Sequence, residues 1–450
     1  MSFGTTRSIA AACKTVDLIR GASMRNGVIV AALVGCCVAL SAHAKDDLLE
    51  TLAQKGVLTP EEYQKLKDQR KSELTFSAED GLRISSADGN NSVQVGTLQQ
   101  LDFANYDEDG TDLSDGSELR RSRLAVSGVF LKDWQYRVEY EFAGTTSVTD
   151  AYVAYTALKP LTITLGQFKQ PFGMEALASD KNVTFMERGL PFYFITTRAP
   201  GAMVGTSGAN WSVNGGFFGE PINNAQAGDE GYGAVARVSY APWMEANRVV
   251  HFGLAGLWRK PTDENSSNTT GPKFETVRFR AKPESNILAQ RFVDTGEIRA
   301  VDTYSLLGLE AAAQAGAASL QAEYHLVQVK RDSASTLDFS GWYAQAAYTL
   351  TGEARPYRGD RGFFDGIRPA RAFGKDGWGA FEVAARMSEI DLTDRDIVGG
   401  RERNATVAFN WYLNPILKFS ANVVKVLDID DGPFDGQEPT AYQIRLQVAL

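Results

Sequence analysis

Trp134-Gln135-Tyr136-Arg137-Val138-Glu139-Tyr140-Glu141-Phe142 is the stretch on which the fold turns. Successive side chains of an extended strand point to opposite faces, so here Trp, Tyr, Val, Tyr and Phe share one face while Gln, Arg, Glu and Glu share the other. A face of aromatics backed by a face of charges is what a strand needs when one side meets lipid and the other meets water. The pattern recurs. Leu417, Phe419, Ala421 and Val423 alternate with Lys418, Ser420 and Asn422; Phe381, Val383, Ala385 and Met387 alternate with Glu382, Arg386 and Ser388. The chain closes on Tyr442, Ile444, Leu446, Val448 and Leu450, interleaved with Gln443, Arg445 and Gln447. Its last residue is Leu450.

The connections alternate as well. Lys132-Asp133, Lys159-Pro160, Gly208-Ala209-Asn210 and Asn414-Pro415 are short; residues 107–117, 219–231, 260–273 and 428–439 are long and polar. Short periplasmic turns and long outer loops are the asymmetry of an outer-membrane barrel. Trp134, Trp211, Trp243 and Trp411 sit beside the short turns, where an interfacial girdle belongs. The expected fold is all-β: a transmembrane antiparallel barrel spanning residues 82–450. It has about sixteen strands, or eighteen if residues 274–282 form another hairpin. Residues 351–375 fit poorly, because strand parity assigns this Gly- and Arg-rich stretch to the short-turn side.

The rest of the 450-residue chain is compatible with this class. Mean hydropathy is -0.23, as expected when the two faces of each strand cancel in a running average. Residues 1–44 read as a signal peptide: Met24-Arg25-Asn26 is a positive start, Val28–Leu40 an apolar stretch, and Ala42-His43-Ala44 a small-residue cleavage site. Leu33-Val34-Gly35-Cys36 also fits a lipoprotein box, with Cys36 as the lipidated residue. All three cysteines precede the cleavage site, so the mature chain needs no disulfide. The net charge is -9, and removing residues 1–44, with four basic residues and one acidic, leaves -12; nucleic acid is not an expected partner. Residues 45–78 form the one helical segment, two short helices with a Thr59-Pro60-Glu61-Glu62 capping box opening the second. Either a solvated hairpin or a periplasmic oligomerisation module suits it.

A barrel of this width holds an aqueous channel unless something narrows it. Residues 170–200, the longest non-alternating insertion in the first half, carry Lys181, Glu187 and Arg188 among Phe172, Phe185, Met186 and Phe192. Apolar anchors would pin such a loop to the inner wall and leave its charges in the constriction. Strand phase places Arg121, Arg123, Arg137, Arg237, Arg278, Arg280, Arg386 and Arg445 on the lumen face. A guanidinium there can hold an oxyanion with two parallel hydrogen bonds or pair with acidic neighbours such as Glu139, Glu310 and Glu382. His251 and His325 lack metal-ligand spacing and read as satisfied or rim histidines, so no cofactor and no catalysis is expected.

The stretch Gly166-Gln167-Phe168-Lys169-Gln170-Pro171-Phe172-Gly173, with Thr184-Phe185-Met186-Glu187-Arg188-Gly189-Leu190-Pro191, resembles the fifth strand and inward-folded third loop of the phosphate-selective porin O and P family. Leu119-Arg120-Arg121-Ser122-Arg123-Leu124 and Asn410-Trp411-Tyr412-Leu413-Asn414-Pro415 match as well. The resemblance implies a sixteen-stranded homotrimeric porin in the lipid bilayer of the outer membrane of a Gram-negative cell, with an arginine ladder and an anion-binding third loop. The expected solute-binding residues are Lys169, Lys181 and Arg188 with Arg121, Arg123, Arg237, Arg278, Arg280 and Arg386. The expected function is passive diffusion of small anionic solutes such as phosphate or polyphosphate. The alternatives are a non-selective porin and a plugged scaffold or adhesion barrel; an outer-membrane lipase would require a Ser-His pair.

Overall fold

The computed structural model describes residues 55, 57–70, 74–77, 81–222, 229–264 and 274–450. The expected signal peptide, the possible lipidation site at Cys36 and the first of the two short helices lie outside the described residues. Two units are present, one up to Gly89 and one from Asn90. The first contains helix α1 (Pro60–Arg70) and a pair of antiparallel strands, Thr75–Ser77 and Leu82–Ser85. The capping box forms as its sequence predicts. The Glu62 amide donates to Thr59 Oγ1 at 3.2 Å and the Thr59 amide to Glu62 Oε2 at 2.9 Å.

The second unit is a closed antiparallel barrel of sixteen strands. They are β1 (Ser92–Asp107), β2 (Gly116–Phe130), β3 (Trp134–Glu141), β4 (Ser147–Tyr155), β5 (Leu161–Lys169), β6 (Arg198–Ser207), β7 (Trp211–Phe218), β8 (Tyr232–Glu245), β9 (Arg248–Lys260), β10 (Val301–Ala315), β11 (Ala318–Arg331), β12 (Leu337–Thr349), β13 (Ala380–Asp394), β14 (Ile397–Tyr412), β15 (Leu417–Asp430) and β16 (Thr440–Ala449). Each pairs with its sequence neighbours, and β16 returns to β1 with Ala449 opposite Leu98 and Thr440 opposite Asp107. Closure leaves no unpaired edge, which the hydrocarbon of a membrane requires because it offers backbone amides no partner. The side-chain alternation is as the sequence predicts: on β9, Phe252, Leu254 and Trp258 are exposed, while His251, Ala255, Leu257 and Arg259 are buried. Leu254→Arg, on the lipid face near the middle of β9, is expected to cost about 2–4 kcal/mol of folding stability in lipid vesicles. An unchanged urea midpoint would show that this face does not meet hydrocarbon.

Three connections fold into the barrel instead of away from it. Among the described residues these are 170–197 between β5 and β6, 274–300 between β9 and β10, and 350–379 between β12 and β13. The second settles the strand number. Phe274–Val277 and Arg280–Ala281 belong to small sheets separate from the barrel sheet, so the described residues add no seventeenth or eighteenth strand to it. Arg278 and Arg280 are therefore not on a lumen strand, contrary to their apparent phase. They lie on the outer loop, where Arg278 is exposed and pairs with Asp294 at 2.5 Å. The third connection is the stretch that strand parity placed on the short-turn side. The parity was right, and the stretch is long because it enters the barrel from below.

The lumen is consequently part dry. Phe172, Leu190 and Phe194 of the first inserted loop pack with Phe279, Val293 and Ile298 of the second against Leu306, Val327, Phe339 and Ile390 of the wall. This is why β10–β13 carry apolar residues on both faces in their outer halves. Phe364 of the third insertion packs with Met174, Ala241, Val249 and Ala312. Burying each such large side chain contributes about 1.5–3 kcal/mol, enough together to hold the insertions in place.

Candidate functional site: the constriction and its struts

The first inserted loop docks through its backbone as much as through its apolar anchors. It contains a single helical turn, α2 (Met174–Leu177), whose free amides and carbonyls must find partners. Glu323 of β11 accepts from the amides of Met174 and Glu175 at 2.9 and 2.7 Å. Lys169 Nζ donates to the carbonyls of Ala176, Leu177 and Ala178 at 2.7, 3.2 and 2.7 Å. The ammonium of Lys169 is thus occupied closing the turn and does not face the passage. His325 Nδ1 lies 3.2 Å from the Pro191 carbonyl oxygen. Among the described residues, no group of His, Cys, Asp or Glu is arranged to hold a metal.

Asp180 gathers three of the expected arginines. Arg188 Nη1 reaches it at 2.5 Å, Arg123 also donates to it, and Arg121 Nη2 lies 3.5 Å away. Burial by itself would raise the carboxyl of this loop residue; Arg121, Arg188, Arg123 and Lys169 outweigh that and hold it well below the usual carboxylate range. Arg188 is saturated within its own loop, donating also to the carbonyls of Glu175 and Ala178 at 2.9 and 3.0 Å and lying 4.8 Å over the Phe192 ring. Arg386 ties the first two loops together, donating to Glu284 and, at 3.0 Å, to the Glu187 carbonyl. Arg445 grips Asp102 at 2.7 and 2.6 Å and Glu187 at 2.8 Å. Arg237, fully buried, is bidentate to Glu310 at 2.8 and 2.6 Å, and lies in a separate cluster from the arginines around Asp180.

Most of the arginines that sequence phase assigned to the lumen are therefore struts between the wall and the inserted loops. Lys181 differs, being half-buried and in no ion pair among the described residues; only its carbonyl is engaged, by Gln447 at 3.1 Å.

Sequence reasoning missed other arginines. Arg120 does not follow the alternation because Gln100 pairs with Arg121 and Leu101 with Leu119, leaving Arg120 as the extra residue of a β-bulge. The bulge turns it inward, where it forks onto Glu187 at 2.8 and 2.9 Å. Two consecutive arginines inside an otherwise alternating strand were the available signal. Arg198, at the start of β6, donates to Asp150 at 2.8 Å. Arg355 of the lower insertion donates to Thr184 Oγ1 at 2.7 Å and to the Asn182 carbonyl at 2.9 Å, joining that insertion to the first loop.

Water reaches these charges unequally. The Arg137 side chain is 34% exposed and its partner Glu139 8%, and Arg120 is 22% exposed against 12% for Glu187, whereas Arg123 and Glu141 are equal at 13%.

A closed sixteen-stranded barrel, apolar outside and narrowed from within by folded-in loops, is an outer-membrane porin. The sequence model of the phosphate-selective porin O and P family matches residues 93–450, and the chain belongs to that family. It is similar to "Porin O" of Pseudomonas aeruginosa, with 28% identity over 389 residues, 79% of this chain and 87% of that relative. Two solved structures share the fold at low identity. Pseudomonas putida OprB has a TM-score of 0.53 and 10% identity over 81% of this chain and 95% of its own. A loop-deletion mutant of Vibrio cholerae OmpT has a TM-score of 0.52 and 12% identity over 80% of this chain and 100% of its own.

Proposed function

We propose that the barrel conducts small anions, phosphate or polyphosphate among them, passively and without chemical conversion. One observation carries the reading: Arg137 and Arg120 are more exposed to water than the acids that position them, Glu139 and Glu187. A passing anion meets the positive side of each pair, in surroundings where a low dielectric strengthens the interaction. Arg137→Glu and Lys181→Glu are each expected to lower the anion-to-cation permeability ratio in planar bilayers under a KCl gradient, by about fourfold or less. Arg188→Glu is expected to act on folding, because that guanidinium is enclosed by its own loop. Equal reversal potentials for wild type, Arg137→Glu and Lys181→Glu would defeat the proposal.

A second reading, a pore without ionic preference, is favoured by the matching of nearly every buried arginine with a carboxylate. A wild-type reversal potential of zero would establish it.

We further infer that the functional unit is a trimer. Strands β3–β7 have only 8–10 residues each, so once tilted they stand roughly 20 Å tall, short of the ~25 Å apolar band. A wall that low is better covered by another copy than by lipid. Chemical cross-linking in native membranes tests this, and monomers alone would refute it.

A further inference from the structure

The lower insertion ends in a small hairpin in which Tyr357–Arg358 pairs with Phe363–Phe364. Almost every feature of that hairpin is fixed to the wall. Arg237 donates to the carbonyls of Arg361 and Gly362 at 2.9 and 2.7 Å, and is itself held by Glu310. His251 Nδ1 lies 2.6 Å from Tyr357 Oη, and its Nε2 lies 3.3 Å from Glu310. Phe364 is buried. Gly362 has φ +69°, and a Cβ there would lie 2.3 Å from Ser239 Oγ, so the tip approaches β8 as only glycine permits. Gly359 is similarly close to the short turn after β6, its would-be Cβ 2.1 Å from the Ala209 carbonyl.

What remains outside this clamp is a set of three charged side chains. Arg358, Asp360 and Arg361 are the exposed groups of the tip, with Arg361 60% exposed. Asp360 is engaged first by Arg358, at 3.2 and 3.3 Å. Its contact with Arg361, at 3.8 Å between exposed groups, is too weak to immobilise that guanidinium. Asp365 lies 3.6 Å from Arg358 and accepts from Asn182. Arg361 is therefore the tip's unspent cation. Its own carbonyl accepts from Arg237 of β8, so the guanidinium is carried on backbone anchored to the barrel wall.

We propose that Arg361 is a selectivity-determining residue of the pore. The buried Arg237–Glu310–His251 cluster is the scaffold that holds the hairpin tip carrying it. On this view the lower insertion, and not the constriction loop alone, sets the preference among small anions. The proposal rests on the anion-conducting reading above. Arg237, expected from its strand phase to touch solute, becomes a positioning residue, since its hydrogen bonds go to Glu310 and to the backbone that carries Arg361.

The test is reversal potential in planar bilayers under a KCl gradient, with inorganic phosphate then added to compete with the chloride current. Arg361→Gln is expected to lower the anion-to-cation permeability ratio by about twofold and Arg361→Glu by about fourfold, both with weaker block by phosphate. Because the side chain is exposed, both variants should fold and keep the wild-type channel size. Arg395→Glu, on the outer turn between β13 and β14, serves as the control for surface charge and should leave the ratio unchanged. Wild-type selectivity retained in Arg361→Glu overturns the proposal while leaving the anion reading intact. An equal shift in the Arg395 variant overturns it as well. A wild type without anion preference removes the anion reading and this inference together.

Discussion

Asp180→Ala is expected to destabilise the folded barrel by about 3–5 kcal/mol and to make its current noisy. The carboxylate it removes is the common partner of Arg121 and Arg188, both buried, and of Arg123, whose side chain is 13% exposed. Breaking a buried ion pair costs far more than the pair is worth, because the remaining charge is left in a poorly solvating environment. Here two buried cations, Arg121 and Arg188, are left without a carboxylate among the described residues, while Arg123 keeps Glu141 at 2.8 Å; Arg121 and Arg123 are fixed by the register of β2. The loop is the element free to move, so it should swing away from the wall and take the constriction with it. Asp180→Asn keeps the shape and loses the charge, and should behave nearly as badly. The observables are the urea midpoint of the protein in lipid and the open-channel noise of single pores. A wild-type midpoint with quiet currents in both variants would mean that the three arginines are solvated from the channel and that Asp180 is not a keystone.

The second large effect concerns conductance. Replacing residues 353–376 by a short turn is expected to raise the single-channel conductance several-fold while leaving the barrel folded. The excised segment supplies Phe364 to a buried cluster, closes on the wall through Arg237 and His251, and supports the constriction loop from below through Arg355. Its removal opens the lower half of the lumen. Sixteen strands enclose a width that is water-filled unless occupied. The wall itself depends on hydrogen bonds between neighbouring strands, and β12 pairs directly with β13 over ten residue pairs, from Ser340–Asp391 to Thr349–Glu382, without help from the insertion. Conductance equal to that of wild type would show that the flow is limited elsewhere, at the first two loops.

The barrel could be read from the chain because its physics is local. A two-residue period with aromatics on one face, as in Trp134–Phe142, has few uses besides a wall between oil and water, and both ends lying on one side makes the strand count even, which left sixteen or eighteen. The inward third loop could be read too, since Phe172, Phe185 and Phe192 in a polar connection must be buried somewhere. The capping box at Thr59 is a four-residue device and formed as written. Where the reading failed, longer-range information was needed. Strand phase gave Arg278 and Arg280 to the lumen because a short alternating run in a loop looks like a strand. The bulge at Arg120 is hinted at by two consecutive arginines, but only the register of the neighbouring strand shows which of them is the extra residue.

Sequence alone thus determined the kind of molecule: a lipid-facing cylinder with water-facing charges, and the segments too long and too apolar to be simple turns. Only the tertiary structure decided which charges are locked in ion pairs and which stay exposed to water. An arginine's role depends on what stands opposite it after the chain has closed on itself, and its partners are remote in sequence: Asp102 for Arg445, Glu310 for Arg237 and Glu284 for Arg386. Alternation says that a side chain points inward, and nothing in a period of two says whether water or a folded-in loop is waiting there.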